Sequence, residues 1–150
     1  MRGGVSVKKR IVAVLLALLC VLCSSCVYPF MYYGVLPEGM EEEKLFSCAE
    51  QMISLMAQGK FDDLEEHADG LDVKDLKKEY EKITKTAGAY KSCVFLEYYG
   101  DEESVYIYYN CNHMYAQVEY TLTFDSSYKL TEVTLWLNEK TVKDPNLQQM

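Results

Sequence analysis

Tyrosine, cysteine and carboxylate are the residue types with which this chain could do chemistry. Nine of its thirteen tyrosines lie between residues 90 and 128. A carboxylate on an apolar face beside a Tyr donor is what an isomerase or hydratase would need, because the carboxylate moves a proton while the phenol stabilises developing charge. Tyr98, Tyr109 and Tyr120 fall on the face expected to be apolar, as candidate pocket lining. The strand carboxylates Glu97, Glu119 and Glu132 fall on the other face, so no residue is assigned a catalytic role. His67 and His113 are expected at a helix end and in a turn, where an exposed histidine is the default. Cys48, Cys93 and Cys111 form no Cys-x-x-Cys motif and meet no paired histidines, so no metal is assigned. Cys48 and Cys111 are expected as small apolar core residues. A Gly-rich phosphate loop, Gly-x-Ser-x-Gly, His-Glu-x-x-His and a calcium loop are all missing from the sequence. No cofactor is expected, and the reading is a non-catalytic domain, with a pocket enzyme acting on a small apolar molecule as the alternative.

The opposite sheet face is chemically different. Phe95, Tyr106, Tyr108 and Trp136 alternate onto it among Glu97, Asn110, Gln117, Glu119, Thr121, Glu132 and Thr134. Rings mixed with amides and hydroxyls suit recognition, because the ring gives buried area and its neighbours give orientation. These four aromatics are the candidate binding or interface face, for a homodimer, an envelope protein partner or a small ligand, against the plainer reading of a solvated sheet face.

Two kinds of element must position these residues. Apolar positions at Leu45, Cys48, Ala49, Met52, Leu55 and Met56 recur at steps of three and four and predict a helix from Glu41 to Gln58, capped by Gly59. A short helix follows from Lys60 to His67. A third starts at Asp72 as N-cap, with Val73, Leu76, Tyr80 and Ile83 on one face, and stops at Gly88. The period then changes to two. Val94, Leu96 and Tyr98, then Val105 to Cys111, Ala116 to Phe124 and Val133 to Leu137 predict four strands in a meander. A register that keeps one apolar face throughout sets Tyr109 opposite Val118 and Val118 opposite Leu135, and puts Cys93 and Cys111 on opposite faces unless a bulge intervenes. The fold class is therefore α+β, with three N-terminal helices packed on a four-stranded antiparallel meander.

Composition and charge bound the function. The chain has 150 residues and 49% apolar content, which suits one globular domain. Arg2, Lys8, Lys9 and Arg10 precede every acidic residue, leaving 11 basic charges against 23 acidic ones beyond residue 26, formally −12. A field of that sign repels phosphate backbones, so nucleic acid is excluded as a partner.

The basic n-region is followed by the apolar run Ile11 to Leu22 and the small residues Ser24 and Ser25, the pattern of an export signal. Twelve helical residues rise about 18 Å, short of a ~30 Å hydrocarbon core, which disfavours a permanent transmembrane helix. Leu22-Cys23-Ser24-Ser25-Cys26 resembles the lipobox of a bacterial lipoprotein signal peptide, with Ser24 and Ser25 matching the two positions before the cysteine and Cys23 standing where Leu is usual. The resemblance implies that residues 1–25 are removed and that Cys26 is thioether-linked to diacylglycerol, anchoring the chain outside the cytoplasmic membrane. The alternative is a soluble secreted chain cut near Ser25. Residues 26–40, with Pro29, Gly34, Pro37 and Gly39, are expected to be a tether, 41–140 the domain and 141–150 a tail.

Three motifs carry a second resemblance: Ala57-Gln58-Gly59-Lys60-Phe61-Asp62-Asp63-Leu64, the Ala87-Gly88-Ala89-Tyr90 entry to the sheet, and the hairpin Thr123-Phe124-Asp125-Ser126-Ser127-Tyr128-Lys129-Leu130. With the order of elements, they make residues 41 to 138 similar to small lipoproteins, mainly of Gram-positive bacteria, whose domain of unknown function has the fold of nuclear transport factor two and ketosteroid isomerase. In that group Gly usually stands near Tyr128 or Thr131, and neither is Gly here. The resemblance implies a bent sheet wrapped around the helices, leaving a conical pocket, and an outer face often used for dimerisation.

Overall fold

The computed structural model describes residues 32–143. Its elements are β1 (Tyr32–Tyr33), α1 (Glu42–Ala57), α2 (Phe61–Glu65), α3 (Val73–Ala87), β2 (Tyr90–Gly100), β3 (Ser104–His113), β4 (Gln117–Asp125) and β5 (Leu130–Asn138), closed by a 3-10 turn at Glu139–Thr141. The chain is α+β, as its periodicity predicts. Three helices precede a four-stranded antiparallel meander, to which Tyr32–Tyr33 adds a two-residue edge strand beside Tyr99 and Gly100. No described helix is long and apolar enough to cross a membrane.

Each helix ends where its residues require. Gly59 takes a left-handed conformation after α1, and the amides of Gly59 and Lys60 bond back to Met56 and Leu55. Asp72 caps α3 by accepting the Asp75 amide at 3.0 Å. Gly88 stops α3 at φ 78°, and a Cβ there would lie 2.8 Å from both Met114 Cβ and the Tyr115 ring, so the close approach of helix end to β3–β4 turn admits only glycine. The start of α1 is unusual. Glu41 makes no side-chain cap, and its amide donates instead to the Tyr128 hydroxyl at 2.6 Å. Tyr128 itself sits at φ 64°, the described non-glycine residue in the left-handed region. The turn thus keeps a glycine-like backbone where the sequence has Tyr, and the ring earns its strain by reaching the helix start and lying 4.1 Å from Lys44 Nζ.

The core forms between α1, α2, α3 and one sheet face. Leu45, Ala49, Met52, Ile53 and Met56 of α1 meet Phe61, Leu64, Val73, Leu76 and Tyr80. Beneath them lie the odd residues Val105 to His113 of β3, the even residues Val118 to Phe124 of β4, and Leu130, Val133 and Leu135 of β5. The predicted parity holds across β3, β4 and β5, but the register is displaced by two residues. Tyr109 faces Tyr120 and not Val118, and Val118 faces Leu137 and not Leu135. The reason is turn placement: the His113 amide bonds to Ala116, so Met114 and Tyr115 form the tight turn and His113 belongs to β3.

Strand β2 departs from strict alternation. Its pairing with β3 shifts twice, leaving Lys91 and Leu96 as extra residues. Each shift flips the faces, so Cys93 and Phe95 join Tyr90 and Tyr98 on the helix side while Val94 and Leu96, expected in the core, stand 57% and 51% exposed. Phe95 then packs against Phe46, Tyr98 and Tyr109 with ring centroids 4.9, 6.3 and 5.9 Å away. Cys93 and Cys111, expected on opposite faces, are direct cross-strand partners.

The expected boundaries also move. Of the tether 26–40, the described part is docked, with Pro37 and Met40 buried and the Gly34 amide bonded to Tyr98 O at 3.1 Å. At the other end the Lys143 amide bonds to Tyr115 O at 2.7 Å, so the expected tail is attached at least that far.

Candidate functional site

The inner face is assembled from buried rings. Tyr98, Tyr109 and Tyr120, the candidate pocket lining, are at most 9% exposed. The Tyr98 hydroxyl donates toward Gly34 O at 3.0 Å and Glu42 Oε2 at 3.1 Å, tying β2 to the segment before α1. Tyr120 reaches His113, whose Nε2 lies 2.9 Å from the hydroxyl while Nδ1 lies 2.8 Å from Gly88 O. A carbonyl only accepts, so Nδ1 carries the proton, and the Tyr120 O–H donates to Nε2. Tyr80 completes the chain beside Tyr120. Burial pushes the Tyr120 hydroxyl far up, and Tyr80 and Cys111 add to it. Burial also holds His113 below its usual pKa of 6.5, against the Gly88 bond that favours the charged ring. His113 is thus a neutral buried strut, contrary to its expected exposure in a turn. Nothing in the sequence marks the Gly88 carbonyl as a partner that lets this polar ring be buried.

A cleft opens on this side between α1 and β2. Glu50 and Ser54 of α1 and Gln58 just after it face Tyr90 and Cys93 of β2 across about 360 Å³. Glu50 is a carboxylate that strand-based reasoning overlooked, because it comes from a helix and sits on the exposed side of the α1 stripe. It stands near Tyr109, whose hydroxyl is raised by burial first and by the Glu50 charge next. Among the described residues, no group of three or more His, Cys, Asp or Glu side chains is placed to hold a metal ion.

The outer face brings together three of the four expected aromatics. Cross-strand pairing sets Trp136 beside Glu119, Glu119 beside Asn110 and Asn110 beside Val94. The next row is Thr134, Thr121, Tyr108 and Glu97, and the next Glu132, Thr123, Tyr106 and Tyr99. Tyr106 and Tyr108 are half-buried, and Tyr108 meets Tyr99 edge-on at 5.8 Å. Tyr106 is raised by burial first and then by Asp101 and Glu132. Trp136 stands 58% exposed at the edge strand, over a shallow hollow of about 580 Å³ that also touches Glu119, Leu137 and Lys140. Phe95 is the correction: the bulge at Leu96 turns it to the inner side, and Val94 and Leu96 take its place among the outer apolar groups. Asn110 Oδ1 is buried without a hydrogen-bond partner in the middle of this face.

Compared with protein-family models, curated proteins and solved structures, the chain matches none.

Proposed function

We propose that this protein is a membrane-anchored cell-surface lipoprotein, lipidated at Cys26, whose domain docks an envelope protein through the outer sheet face and catalyses no reaction. The observation that carries the docking reading is Trp136, a large ring left 58% exposed on the edge strand of the face that also carries, on β3 and β2, the half-buried Tyr106 and Tyr108 and the exposed Val94 and Leu96. An aromatic so placed gives large contact area at small entropic cost. Glu97, Glu119 and Glu132 share the face, so stacking a second copy face to face would oppose like charges. A partner with basic groups around an apolar hollow fits better than a homodimer. The finer fold reading is the bent cone of nuclear transport factor two and ketosteroid isomerase, supported by helices preceding the meander and by bulges that bend its first long strand.

Cys26 and the export signal lie outside the described residues, so the anchor rests on the lipobox alone. Intact mass of the membrane-extracted chain tests it. The expected result is residues 26 to 150 plus a diacylglyceryl mass that Cys26→Ala lacks; an unlipidated mature chain would refute the anchor.

The alternative, a pocket enzyme, is favoured by a single arrangement, Glu50 and Tyr109 beside the inner cleft. Glu50 is exposed to solvent, on the side of α1 away from its buried stripe.

A further inference from the structure

Cys93 and Cys111 are paired across the inner sheet face, Cys111 within the core and Cys93 packed at its edge. Both lie in the stretch of β2–β3 pairing between the two bulges, where Ser92 to Phe95 are shifted in phase against the rest of the strand. That shift brings both side chains to the helix side at directly opposed positions. The His113 amide bonds to Ala116, so the polar backbone groups of His113 point toward β4. Pairing of β3 with β4 is unbroken from Ser104 to Asn112, so Cys111, two residues away, points the same way. Its pair with Cys93 is therefore non-hydrogen-bonded, the type whose Cα atoms lie about 4.5 Å apart. Disulfides span Cα separations of about 4.4 to 6.8 Å, so no backbone movement is required.

We propose that Cys93 and Cys111 are an oxidation site, joined in the exported chain by a cross-strand disulfide. The oxidant is a disulfide-bearing molecule of the envelope, and its presence rests on the export reading above. Cys93 is half-buried and lines the cleft beside Tyr90 and Glu50, whereas Cys111 is fully buried behind it. Burial, and then Cys93, push the Cys111 thiol far above its usual range, which leaves Cys93 to react first. The Cys93 thiolate attacks one sulfur of the oxidant, forming a mixed disulfide and releasing one thiol. Cys111 then attacks Cys93 Sγ, its proton passing to the second departing thiolate. The protein loses two electrons and two protons, and one disulfide of the oxidant becomes two thiols. Cys48 stays reduced.

The test uses the full mature chain, purified reduced and equilibrated with glutathione disulfide, then read by intact mass and peptide mapping. The expected result is a loss of two hydrogens, a Cys93–Cys111 cross-linked peptide and free Cys48, with a melting midpoint roughly 10 °C above the reduced form. Both thiols remaining open to alkylation, or a link through Cys48, would overturn the proposal. Thiol trapping in cells separates the two ideas. A chain that oxidises in vitro but is found in cells reduced and without the diacylglyceryl mass retains the site and refutes export.

Discussion

Tyr128 holds a backbone conformation that costs a non-glycine residue about 1 to 3 kcal/mol, and its side chain explains why it is tolerated. Its hydroxyl accepts the Glu41 amide at the start of α1, which no side-chain cap serves. Tyr128→Phe keeps the strain and the Lys44 contact but loses the acceptor, so chemical denaturation should show a loss of about 1 kcal/mol. A second single-residue consequence concerns pH. His113 is held neutral by burial, so its folded pKa lies below the unfolded value of 6.5. Above that value both states are neutral and its contribution to stability is complete. As pH falls below it, the unfolded chain takes up the proton first, and stability declines until the folded pKa is reached. Melting midpoints measured from pH 7.5 downward should fall through this window, and His113→Gln should flatten that part of the curve. Neither role can be read from residue type, because each depends on a distant backbone group, the Glu41 amide for Tyr128 and the Gly88 carbonyl for His113.

At the scale of elements, helix periods and strand parity are carried by side chains and so were legible. Leu45, Ala49, Met52 and Met56 line α1 where the three-four spacing puts them, and Gly59 and Gly88 close their helices. The faces of β3 and β4, and of β5 from Val133 onward, follow the alternation, a bulge at Thr131 bringing Leu130 to the same side. Strand β2 was not legible, because Val94 and Leu96 alternate as well as any buried pair and nothing local marks an extra residue at Leu96. What overrides them is tertiary: Phe95, though still 40% exposed, packs on Phe46 of α1 and on Tyr98 and Tyr109, and Cys93 lines the cleft beside α1. The candidate site shared this fate, with Tyr106, Tyr108 and Trp136 found on the expected face and Phe95 lost to the other. Substitutions check the bulge. Val94→Thr and Leu96→Thr should each change stability by less than about 0.5 kcal/mol, whereas Phe95→Ala should cost about 2 kcal/mol. Strict alternation along β2 would reverse that order.

On the scale of the whole molecule, the chain beyond residue 26 is strongly acidic, carrying 23 acidic residues, and its two sheet faces are unlike. The inner face is filled by core packing apart from the cleft at Tyr90 and Cys93, and its Tyr98 and Tyr120 hydroxyls are engaged, while the outer face leaves Trp136, Val94 and Leu96 in water. Anchoring through Cys26 would confine the domain to a surface layer, where a modest docking affinity is raised by effective concentration. Acidic groups around the aromatic patch favour a basic partner and predict weaker docking at high salt. The central claim is that this outer face is the working surface. It is tested most directly by placing a photoreactive amino acid at Trp136 of the full chain, in cells that make it, with the same group at exposed Lys77 on α3 as control. The account predicts one discrete protein adduct from position 136, of a mass other than a second copy, and none from position 77. No adduct at position 136, or the same adducts from both positions, would contradict it.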